Sequence, residues 1–93
     1  MVEPQRTSFV AECFWPGVTA VDVEELDART RESAGELGGA VRYLGSILMR
    51  EDEVVLCRFD GEEDAVRRVA VAAAIPFERI LATAESSWRH PPQ

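Results

Sequence analysis

The chain has 93 residues, 46% of them apolar and 29% charged, the balance of one small globular domain rather than of a disordered segment. Its formal net charge is −7 and all ten basic residues are arginines, scattered along the chain, so a nucleic-acid backbone is repelled. No apolar run reaches the roughly 18 residues that span a bilayer, and the first residues do not resemble a secretory signal, so a cytoplasmic protein without a membrane partner is expected.

After a lead-in over residues 1–7, Ser8–Phe14 alternates, with Phe9, Ala11 and Cys13 on one side and Val10, Glu12 and Phe14 on the other. That period of two predicts a strand. Trp15-Pro16-Gly17 reads as a turn, because proline fixes φ and glycine relaxes it. Thr19 followed by Asp22 is a capping-box spacing, and it opens a helix running to Leu37. Val23, Leu26, Thr30, Ala34 and Leu37 fall on one face of that helix. Glu25 precedes Arg29 by four residues and Asp27 likewise precedes Arg31, pairs contributing about 0.3 kcal/mol each on a solvated face. Gly38-Gly39 supplies a left-handed end.

Val41–Met49 and Glu53–Phe59 are two further strands, rich in β-branched, aromatic and other apolar residues, joined as a hairpin by Arg50-Glu51-Asp52. Asp60 followed by Glu63 repeats the capping spacing and predicts a second helix through about Ala74, with Val66, Val69, Ala70 and Ala73 inward. Glu63–Arg67 and Asp64–Arg68 repeat the four-residue charge pairing, and Pro76 stops the helix. Arg79–Thr83 is a short last strand, and residues 86–93 form a tail behind a core of about 8–85.

Two β-α-β halves joined by a hairpin specify an α+β domain of the ferredoxin-like type, β-α-β-β-α-β. Its four-stranded antiparallel sheet is expected in the order 4-1-3-2, with two helices on one face. Cys13, Cys57 and Tyr43 then point toward the helices. Both cysteines read as reduced, packed thiols in a cytosolic chain, and without Cys-x-x-Cys spacing they suggest neither a zinc site nor a redox motif. The second strand has two possible parities. The one chosen here places Arg42, Leu44, Ser46 and Leu48 on the open face, beside Val10, Glu12, Phe14, Val54, Leu56, Arg58 and Leu81.

Roughly seven large apolar side chains on that face exceed what a monomer leaves in water. A second copy is the expected cover, since two-fold dimers are the commonest closed assembly. Glu12 and Arg58, on neighbouring strands, are expected to pair across them, either as a structural ion pair or as catalytic residues in a cavity between subunits. Glu12, Arg42, Ser46, Arg58, Tyr43 and Cys57 are the candidate ligand-binding residues. The one histidine, His90, lies in the tail, and with Glu85 it makes the candidate metal pair.

Ala11-Glu12 followed by Trp15-Pro16-Gly17, then Ser46, Asp52, Cys57 and Ile75-Pro76, form a pattern running from about Phe9 to Glu85. On these residues the chain resembles a family of short bacterial ferredoxin-like proteins of mostly unknown function, some described as nickel-binding. The resemblance implies a homodimer, nickel or a similar divalent ion at the dimer surface, and Glu12, Ser46 and Cys57 as matching positions. The chain departs from the pattern at Cys13, where a basic residue is expected, and at Ile47, where an aromatic is usual. It departs again before Pro76, where no glycine closes the helix. A small homodimeric ligand-binding protein is the function expected, with a metal ion or a small molecule as ligand. The alternative is a cofactor-free enzyme of the oxygenase or cyclase type, acting on a hydrophobic small molecule at the dimer interface.

Overall fold

The computed structural model describes residues 8–83, and the expected metal candidates Glu85 and His90 lie outside them. The elements run β1 (Ser8–Phe14), α1 (Ala20–Glu36), β2 (Val41–Met49), β3 (Val54–Gly61), α2 (Glu63–Ala72) and β4 (Arg79–Thr83). The strands form one antiparallel sheet in the order β2-β3-β1-β4, the ferredoxin-like arrangement. None of the described helices is long and apolar enough to cross a membrane.

The alternation in β1 and β3 sorts the two faces as expected. Phe9, Ala11, Cys13, Val55, Cys57 and Phe59 are buried toward the helices, against Leu26, Thr30 and Ala34 of α1 and Val66, Val69 and Ala70 of α2. Thr30 is tolerated there because its hydroxyl donates to the Leu26 carbonyl, 2.7 Å away. The capping box on α1 is formed: the Asp22 amide donates to Thr19 Oγ1, and the Thr19 amide donates to the Asp22 carboxylate. Gly38, at φ 64°, turns the chain out of α1.

The second capping pattern does not cap. β3 continues through Asp60 and Gly61, and α2 begins at Glu63 behind Glu62, whose side chain makes no capping bond. The Asp60 carboxylate instead accepts from Ser8 Oγ across the strands at 2.9 Å. Pairing in the sheet outcompetes the local signal. Glu53, expected to open β3, sits in the hairpin at φ 55°. From there its carbonyl accepts from the Trp15 amide and its carboxylate from the Gly17 amide.

The end of α2 confirms that glycine is missed. Ala74 has φ 57°, with its amide on the Val71 carbonyl and the Ile75 amide on the Ala70 carbonyl, the two bonds of a Schellman ending. A left-handed alanine costs about 1 kcal/mol more than glycine there. Ala74→Gly is therefore expected to raise stability by about 0.5–1 kcal/mol, read as a higher urea midpoint at unchanged slope. An unchanged or lower midpoint would contradict the geometry.

Candidate functional site

The structure divides the expected site residues between the two faces of the sheet. What divides them is a bulge in β2. Tyr43 stands opposite Phe59 and Gly45 opposite Arg58, so Leu44 is an extra residue without a partner. Gly45, at φ 109°, supplies the backbone conformation that the insertion needs. Beyond it every side chain of β2 changes face. Ser46 and Leu48, expected on the open face, point toward the helices opposite Cys57 and Val55. Ile47 and Met49 take the open face opposite Leu56 and Val54.

Three residues apart on a regular strand, Tyr43 and Ser46 would face opposite ways; the bulge brings both hydroxyls under α1. There they meet half-buried Asp27. Tyr43 donates to Asp27 Oδ1 at 2.5 Å and Ser46 donates to the same oxygen at 2.8 Å. Leu26 anchors the neighbouring helical position in the core, which sets Asp27 at the flank of the buried stripe. The Tyr43 ring packs on Phe59 at 5.0 Å, and Arg31 lies over it at 5.5 Å from the centroid. Asp27 and Arg31, expected as an ion pair in solvent, thus both attend to Tyr43.

Cys57 stands directly opposite Ser46 on the neighbouring strand, and Cys13 is its diagonal neighbour on β1. Both thiols are free and fully buried. Interaction with Cys57, then burial, pushes the Cys13 thiol far up. Cys57 is lowered by interaction with Cys13 and by the Tyr43 hydroxyl, while burial opposes it. Burial decides access, so both thiols are expected to react with a disulfide reagent only on unfolding. Rapid labelling of the native protein would contradict that placement.

Burial, then the bond to Asp27, holds the phenol of Tyr43 well above its ordinary value near 10. The folded value exceeds the unfolded one, so the stability gained is complete below about pH 10 and is lost as pH rises beyond it. Tyr43 is the chain's one tyrosine. Its tyrosinate absorption is expected to appear with alkaline unfolding and not before. Ionisation near pH 10 in the native protein would contradict this.

On the open face Glu12 does not pair with Arg58. It stands directly opposite Arg79 of β4 on one side and Leu56 of β3 on the other. Glu12 Oε1 accepts from Arg79 Nε at 2.6 Å, which raises the Arg79 guanidinium's affinity for its proton. Arg58 is one row further, opposite Val10, and diagonal to Glu12. It is half-buried and has no hydrogen bond or ion pair among the described residues. Arg42 is exposed at the end of the face, opposite Asp60. Around these charges lie Val10, Val54 and Leu56, together with Phe14, Ile47, Met49 and Leu81 at 52, 47, 40 and 38% exposure.

Sequence reasoning missed Asp27 and Arg79. Asp27 was legible as the residue flanking the buried stripe of α1. Arg79 was legible as the first residue of a strand bordering β1. No family model and no curated protein sequence matches the chain. SCO4226 from Streptomyces coelicolor A3(2), known from a crystal structure, has a similar fold, with TM-score 0.72 and 16% sequence identity over 86% of this chain and 99% of that one. A likeness at that identity establishes the fold.

Proposed function

We propose that the protein is a small homodimer that binds a small organic ligand where two open sheet faces close on each other. The observation that carries this reading is the open face itself. On it Arg58, a half-buried guanidinium without a partner among the described residues, stands opposite Val10 and between Leu56 and Asp60 along β3. Phe14, Ile47, Met49 and Leu81 are exposed together on that face, and burying such side chains, at about 25 cal/mol per Å², favours association. A two-fold contact covers it with the same surface from a second copy.

The family resemblance implies nickel, and the described residues of a single copy offer that ion no cluster of ligands. Among them no three of histidine, cysteine, aspartate or glutamate come together to hold a metal. His90 and Glu85 lie outside the described residues. The polar groups that do converge, Asp27 with Tyr43 and Ser46, satisfy one another. Light scattering is expected to give about twice the 10.3 kDa chain mass at micromolar concentration. Nickel is expected to leave both that mass and the melting temperature unchanged. A stable monomer would overturn the dimer, and stoichiometric nickel binding with stabilisation would move the reading to a metal-binding protein.

A further inference from the structure

The proposed closure of two open faces has an electrostatic consequence that names the ligand, and the inference rests on that closure. The middle of the face is formed by Leu56 and Glu12 in one row and Arg58 and Val10 in the next. Ile47 lies beyond Leu56, and Arg79 and Leu81 lie beyond Glu12 and Val10. This patch holds two guanidinium groups and one carboxylate, and that carboxylate is already taken by Arg79. Arg58 is left over. The excess is local, since the chain as a whole carries −7.

When two such patches meet about a two-fold axis, each copy brings one uncompensated positive charge into apolar surroundings. A second copy does not supply the missing anion: its Glu12 is committed in the same way, and its Asp60, in the end row of the face, accepts from Ser8 and stands opposite Arg42. Desolvating a guanidinium without a counter-charge offsets part of the apolar gain on association. A bound anion removes that cost. One excess charge per copy matches a monoanion, the planar fork of arginine matches a carboxylate, and the apolar flanks require an apolar body.

We infer that Arg58 receives the carboxylate of a small apolar monocarboxylic acid, whose body lies on Val10, Ile47, Leu56 and Leu81. The test is calorimetric titration with octanoate and, as its neutral counterpart, octanol. It uses the unaltered protein, Arg58→Leu and Arg58→Lys, with the mass of each followed by light scattering. Octanoate is expected to bind at least about tenfold more tightly than octanol, the size of one charge-assisted hydrogen bond. That preference is expected to vanish in Arg58→Leu and to survive in part in Arg58→Lys, which keeps the charge without the fork. Equal binding of the two probes, absence of octanoate binding, or a preference unchanged in Arg58→Leu overturns the inference. A dimer that ignores octanoate refutes the ligand class and leaves the dimer. An Arg58-dependent preference in a protein that stays monomeric supports the carboxylate site and refutes the dimer.

Discussion

Replacing Leu56 with arginine is expected to weaken self-association by more than about a hundredfold while leaving the fold of each copy intact. Leu56 lies in the central row of the open face, between Ile47 and Glu12. In a single copy the new guanidinium reaches water, so circular dichroism is expected to change little and the unfolding midpoint to fall only by the association energy lost. In the proposed dimer it is buried in an apolar contact beside Arg58, two residues along the same strand. An uncompensated buried charge costs about 3 kcal/mol or more, which is over a hundredfold in dissociation constant. Dilution followed by light scattering reads the change. A variant that dimerises like the parent would show that the contact lies elsewhere.

Asp27→Leu is expected to destabilise the fold by about 3 kcal/mol. One carboxylate oxygen accepts both the Tyr43 and the Ser46 hydroxyl, and hydrogen bonds to a charged group contribute about 1.5 kcal/mol or more each. Leucine leaves both hydroxyls without an acceptor beneath α1. Asp27→Asn keeps a carbonyl acceptor and is expected to cost about 1 kcal/mol. Urea unfolding of the two variants checks the order. Equal costs would mean that the charge, rather than the pair of hydrogen bonds, holds the cluster.

Much of the architecture is legible because its signals agree at several levels. Thr19 and Asp22 are local, and the helix they open also carries a buried stripe, so cap and pattern name the same element. β1 alternates cleanly because one face is packed and the other open. Where the signals conflict, tertiary structure decides. Asp60 and Glu63 have capping spacing, but the Ser8 hydroxyl across the sheet takes the carboxylate and the strand runs on.

The β2 bulge is the costliest omission, because a one-residue insertion reverses every later side chain. Its signal was Gly45 inside an otherwise β-rich run, where a glycine often marks a bulge. Recognising it would have put Tyr43 and Ser46 on one face. It would also have moved Ile47 and Met49 to the open one, making that face more apolar than expected. The partner of Glu12 was a question of register. β1 is flanked on both sides, and only the pairing of β4 sets Arg79 directly opposite while leaving Arg58 on the diagonal.

The central claim, that the open faces of two copies meet, is tested most directly by isotope-filtered nuclear Overhauser spectroscopy on a mixture of labelled and unlabelled chains. Methyl groups of Val10, Ile47, Leu56 and Leu81 are expected to show contacts between copies. Val66 and Val69, on the face of α2 buried against the sheet, are expected to show none. Contacts between copies confined to the exposed Val71 on α2, or no such contacts at millimolar concentration, would contradict the account.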